Sequence, residues 1–137
     1  MVRFLWAGLI VMLFFGSAQS ADAPALGGLH RAAEKGAAAA ELELASYYMM
    51  GKGIAQDPKI ARVWYEKAAN QGNLKAQTIL GLLYTNGTGV KPDAVMAAKW
   101  LKRAALQGVP TAQLTLGAFS AEGKGVPQDY IQSHIWF

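Results

Sequence analysis

Residues 86–93 read NGTGVKPD, two glycines one residue apart with a lysine just beyond. Glycine-rich turns of this kind can bind phosphate, because backbone N–H groups leading into a helix N-terminus point at the anion. A phosphate loop, however, needs G-x-x-x-x-G-K-[ST], and a dinucleotide loop needs G-x-G-x-x-G directly after a strand. Gly87 and Gly89 follow AQTILGLLYT, whose apolar spacing is helical, and neither motif is completed. Other candidates for chemistry are equally thin. His30 and Glu34 stand four apart, on one helix face, but nothing supplies the further ligands a metal needs, so they read as a surface pair. Glu41 and Glu43 are two apart, on different faces, and make no acid/base pair. No H-E-x-x-H, G-x-S-x-G or cysteine nucleophile is present. The chain reads as non-catalytic, without cofactor or metal.

The glycines have another explanation, because they recur. Thirty-six residues upstream stands MGKGIAQD (50–57), and thirty-six downstream stands EGKGVPQD (122–129). The period divides the chain without gaps into a partial unit (21–36), two full units (37–72 and 73–108) and an incomplete third (109–137). In register fall Leu44, Leu80 and Leu116; Gly51, Gly87 and Gly123; Gly53, Gly89 and Gly125; Asp57, Asp93 and Asp129; Trp64, Trp100 and Trp136. The full units also share Ala68/Ala104, Ala69/Ala105, Gln71/Gln107 and Gly72/Gly108.

Each unit holds two helical patterns. Ala76, Ile79, Leu80, Leu83 and Tyr84 lie on one helix face, and after the loop Ala97, Trp100, Leu101, Ala104 and Ala105 repeat that spacing. Ala61, Trp64, Tyr65, Ala68 and Ala69 do the same in the first full unit. The fold class is therefore all-α, an array of antiparallel helix pairs. Gly87 suits the left-handed position just past a helix, Gly89 a tight reversal, and Asp93 the N-cap of the second helix. Asp57 is followed by Pro58, a favoured first helical residue. The alanine pairs allow close helix approach, and Trp64 and Trp100 fill the space between units. The indoles share a face with those alanines, which argues against an exposed stacking platform.

Composition sets the outer limits. The 137 residues are 53% hydrophobic and 16% charged, a globular composition with one modest core. The net charge of +4 is spread along the chain with no run of one sign, which argues against nucleic acid as a partner. The absence of cysteine removes disulfides, thiolate metal sites and a cysteine-linked lipid anchor. Residues 1–20 differ from the rest: Arg3, then the apolar run Phe4–Phe15, then small residues with Ala18 and Ser20 placed for cleavage after Ser20. That order is a secretory signal peptide. The alternative is an uncleaved anchor, although the run falls short of the roughly 18–20 apolar residues that span a bilayer. The expected product is exported, periplasmic or secreted, with no stable membrane span after cleavage.

The repeated residues resemble the Sel-one-like repeat (SLR), a relative of the tetratricopeptide repeat, over about residues 29–137. The second full unit carries Ala76, Leu80, Gly81, Tyr84, Gly87, Gly89, Val90, Asp93, Ala97, Trp100, Ala104, Ala105, Gln107 and Gly108 of the family's pattern. The first departs at Ala45 and Ile54, and the third has Ser120 for tyrosine and Ser133 for alanine. The resemblance implies a right-handed α-solenoid that serves as a protein-interaction scaffold, often in a bacterial envelope or secretion setting. The alternatives it leaves are a hydrolase or β-lactam-binding protein of the SLR type, or a scaffold for polysaccharide export or cell-wall assembly. The cysteine-rich character linked with β-lactam binding is missing here.

Two further expectations concern surfaces. With Leu44, Ala45 and Tyr48 facing the second helix of the pair, a different stripe of the first helix is free to meet a protein or peptide partner. It comprises Leu42, Ser46, Met49 and Met50, then Thr78, Leu82, Thr85 and Asn86, then Leu114, Ala118, Ala121 and Glu122. Its residues change from unit to unit while the frame stays constant, as a tuned surface would, although a solvated face also drifts. The third unit stops at IWF, seven residues short by the register. That reads as a shortened form of a longer protein, or as an apolar end through which the chain self-associates.

Overall fold

The computed structural model describes residues 23–126, so the expected signal peptide and the second helix of the third unit lie outside the described residues. Six α-helices follow one another: α1 Ala23–Glu34, α2 Ala38–Met50, α3 Pro58–Asn70, α4 Leu74–Asn86, α5 Ala94–Ala105 and α6 Pro110–Glu122. Among the described residues there is no strand. Each helix packs chiefly against the one before and the one after it, with α2·α3 and α4·α5 the most extensive pairs. The architecture is an all-α solenoid.

Local signals set the helix ends. Gly51, Gly87 and Gly123 close α2, α4 and α6 in the left-handed conformation, with φ of 71°, 73° and 67°. At Gly87 the amide N–H donates to the Leu83 carbonyl at 2.8 Å, and Thr88 N–H donates to the same oxygen at 3.1 Å, satisfying the last turn of α4. The loop then returns, and Asp93 N–H donates to the Tyr84 carbonyl at 2.9 Å. The Asp93 carboxylate accepts from Met96 N–H at 3.0 Å, and Asp57 accepts from Lys59 and Ile60 N–H at 3.0 and 3.2 Å. These are N-caps, each worth about 1 kcal/mol.

The core is built from small residues around a few large ones. Ala61, Ala68, Ala76, Ala97, Ala104 and Ala112 are fully buried, and they let the helices approach Leu44, Leu80, Leu101 and Leu116 closely. The two indoles differ. Trp100 is 2% exposed, as expected, but Trp64 is only half-buried, so the two do not fill equivalent spaces. The Trp64 ring stands edge-on to His30 at 6.4 Å, and the His30 Nε2 lies 3.2 Å from the Tyr48 hydroxyl. His30 is thus half-buried where α1, α2 and α3 meet, and the expected His30–Glu34 surface pair is replaced by this aromatic junction.

A second hydrogen-bond device joins the units. Gln77 and Gln113 occupy the same place in successive units, and each donates from Nε2 to a helix-end carbonyl, of Ala69 and Ala105 respectively, at 3.1 Å. In the first unit this place holds Glu41, 3% exposed, whose carboxylate instead accepts from Gln71 Nε2 at 2.6 Å.

The second glycine of the loop does more than reverse the chain. A Cβ on Gly89 would overlap the Pro58 carbonyl of the preceding unit, and one on Gly125 would overlap the Ala94 carbonyl. Each loop is pressed, backbone to backbone, on the first turn of the previous unit's second helix. Gly89→Ala should therefore cost about 3–4 kcal/mol in urea unfolding, from a left-handed φ plus the overlap. Gly108→Ala, at φ +89° with nothing within 4 Å, should cost only about 1–2 kcal/mol. Equal losses would show that the loop does not press on the neighbouring unit.

Candidate functional site

The first glycine of each loop ends a helix in the left-handed conformation. The N–H groups of Gly87, Thr88 and Asp93 are engaged with the Leu83 and Tyr84 carbonyls, and those of Gly51, Lys52 and Asp57 with the Tyr47 and Tyr48 carbonyls. Among the described residues no three of His, Asp and Glu cluster as metal ligands would.

What remains is the stripe on the first helix of each pair, α2, α4 and α6. The structure places its members unevenly. Met50 and Leu114 are 65% and 60% exposed and Leu82 is 39% exposed, while Asn86 and Glu122 are also open to solvent. Leu42, Ser46, Met49, Thr85, Ala118 and Ala121 are half-buried. Thr78 departs from the expectation: it is 9% exposed, and its hydroxyl donates to the Leu74 carbonyl at 2.9 Å. At the same register place Leu42 of α2 is half-buried beside α4, and Leu114 of α6 is exposed. The hydroxyls of Ser46 and Thr85 also turn back, onto the carbonyls of Glu43 and Gly81.

The stripe borders a depression of about 200 Å³ between α2 and α4, lined by Leu42, Glu43, Ser46, Tyr65, Lys75 and Ile79. Tyr65 enters from α3, and burial pushes its phenol above the ordinary tyrosine value, so the ring presents a protonated hydroxyl at neutral pH. Glu43 and Lys75 bring a carboxylate and an ammonium to its lining. Lys75 was not singled out by sequence reasoning, Glu43 was read only as failing to pair with Glu41, and Tyr65 only as a residue of the buried helix face. The signal was there, since Tyr65 occupies the register place of Leu101 and brings a polar group to a core position. A second depression, about 450 Å³, lies between α1 and α2, bordered by Leu26, Leu29, Ala32, Glu43, Tyr47 and Lys52. Ser46, Glu43 and Lys75 share the smaller hollow, where the Ser46 hydroxyl donates to the Glu43 backbone carbonyl at 2.7 Å.

Comparison with known proteins agrees with this geometry. The model of the Sel1 repeat family matches residues 38–73, 74–109 and 110–137. Among solved structures, the chain is similar to a protective antigen present in uropathogenic Escherichia coli strains that displays an SLR fold. Identity is 43% and the TM-score 0.77, over 81% of this chain and 24% of the antigen's. The chain thus spans about a quarter of that protein's length. It is also similar to a Sel1 repeat protein from Oxalobacter formigenes, at 36% identity and a TM-score of 0.74, covering 81% of this chain and 84% of the other. No curated protein matches the chain.

The indoles offer a direct test of what is surface and what is core. Trp100→Ala should lower stability by about 3–5 kcal/mol in denaturant unfolding, as a buried truncation. Trp64→Ala, half-buried under the Lys67 ammonium at 4.0 Å, should cost roughly half as much. A larger loss at Trp64 than at Trp100 would invert the burial described here.

Proposed function

The chain belongs to the Sel1 repeat family, and from that premise we propose that it is an exported, non-catalytic scaffold that holds a protein or peptide partner along α2, α4 and α6. The observation that carries this reading is the contrast between a constant frame and a varying stripe. Leu44, Leu80 and Leu116 stay leucine and stay buried, whereas Met50, Asn86 and Glu122 differ at one register place and are all exposed. A binding surface needs exposed apolar anchors, and Met50, Leu82 and Leu114 supply them along one side of the array.

Export rests on residues 1–20, whose charge, apolar run and small-residue end follow the order of a signal peptide. No described helix is long and apolar enough to cross a membrane. That one solved relative is described as a protective antigen favours an envelope or extracellular setting for this chain as well. The units are proposed as a partial one over 21–36, full ones over 37–72 and 73–108, and a third from 109.

The test is paired. Envelope fractions passed over the immobilised chain should yield a partner that the Met50→Lys/Leu82→Lys variant retains at least tenfold less well, with unchanged helical circular dichroism. Equal retention by both would overturn the assignment of the face. Mass spectrometry of the exported chain should find Ala21 as its first residue, and an intact Met1 in the mature protein would contradict cleavage.

A further inference from the structure

The outward face of α5 carries a stripe that the partner-binding reading does not use. Val95, Lys99, Lys102, Arg103 and Leu106 are all exposed and lie at i, i+4, i+7, i+8 and i+11, along about 16 Å of one helix face. Val95 and Leu106 are 65% and 68% exposed, among the most open large apolar residues described, and they bracket the three cations. Asp93, just before this helix, is spent on the Met96 amide at the far end.

The preceding unit supplies an internal control. At the matching places α3 has Lys59, Val63, Glu66, Lys67 and Asn70. There Glu66 accepts from Arg62 at 2.8 Å, which neutralises part of the face. In α5 both members of that pair are gone: Arg62 is replaced by buried Ala98, and Glu66 by Lys102. Val63 has also become Lys99. Like charges three and four residues apart weaken a helix slightly, so the arrangement works against the fold it sits on. The helix dipole accounts for Lys102 and Arg103 in the last turn, but not for Lys99 a turn earlier or for the exposed apolar ends. The side of Trp100 does not offer a ligand surface, because Arg103 lies 4.7 Å and Lys99 6.0 Å from a ring that is already covered.

We infer that this face of α5 docks on an anionic lipid bilayer surface, with Lys99, Lys102 and Arg103 on headgroup phosphates and Val95 and Leu106 entering the interface. A bilayer surface provides both complements at once, negative charge at the headgroups and hydrocarbon just beneath. An acidic protein surface would match the cations without a reason for an exposed apolar residue at each end. The contact is peripheral and lies on a different helix from the partner stripe, so it stands independently of the reading above.

The test uses the full-length chain in vesicle co-sedimentation, with phosphatidylcholine alone and with phosphatidylcholine mixed with phosphatidylglycerol. Residues 1–20 are the same in every variant, so the readout is each variant's preference relative to that of the unchanged chain. The unchanged chain should prefer the anionic vesicles by about 100-fold, as three surface cations imply. Lys99→Glu/Lys102→Glu/Arg103→Glu should abolish that preference, as should about 0.5 M salt. The neutral variant Lys99→Gln/Lys102→Gln/Arg103→Gln, which adds no repulsion, should reduce it by a comparable factor. Val95→Ser/Leu106→Ser should weaken binding several-fold at unchanged charge. Equal binding to both vesicles, or an undiminished preference in the two charge variants, would overturn the inference. So would charge-dependent binding to polyglutamate without any vesicle preference, which would assign the face to an acidic polypeptide instead.

Discussion

The loop of one unit rests on the first turn of the unit before it, and the stacking depends on how closely those two backbones approach. Only a residue without a side chain fits at Gly89 or Gly125, because the space that a Cβ needs is occupied by the Pro58 or Ala94 carbonyl. That contact fixes the distance between units, and the rest follows from the distance. Alanine at 61, 68, 97 and 104 is then the size that lets adjacent helices close, and leucine at 44, 80, 101 and 116 the size that fills what is left. Around this, the Gln77 and Gln113 amides add a second hydrogen bond to the Ala69 and Ala105 carbonyls, which already accept from Gly72 and Gly108 N–H, and so tie each unit to the end of the one before.

A frame so constrained leaves freedom only at its surfaces. The side chains of α2, α4 and α6 that face away from their paired helices can change without altering the stack, and so can those on the outside of α3 and α5. The protein's chemistry is therefore a matter of which groups those surfaces display. Exposed methionine and leucine on the first helices suit a polypeptide partner, while the cations of α5 suit an anionic surface. Neither surface includes the loops, where the amides of Gly87, Thr88 and Asp93 hold the turn.

Most of the frame was legible in the sequence because it depends on contacts close along the chain. Helix-ending Gly87, N-cap Asp93 and the buried faces of α4 and α5 all follow from neighbours within a few residues. What was not legible depended on contacts across units. Gly89 looked like a turn residue, and its tighter constraint lies 31 positions away at Pro58. Thr78 was placed on the stripe by spacing alone, but the residue is covered. Trp64 and Trp100 share a register place, yet their burial differs, and His30, which stands edge-on to Trp64, has Glu66 at its register place in the next unit. Tyr65 was read only as part of the buried helix face, because it fits the helix pattern, while its place in a hollow with Ser46 and Lys75 depends on the neighbouring helices.

The central claim is that backbone contact between loop and helix makes neighbouring units open as one. Native-state amide hydrogen exchange across increasing denaturant measures this directly. Amides in the middle of α3 and those in α4 and α5 should converge on a single opening free energy with the same denaturant dependence. Separate opening of residues 58–70, at a free energy well below that of residues 74–105 and with its own slope, would contradict the account.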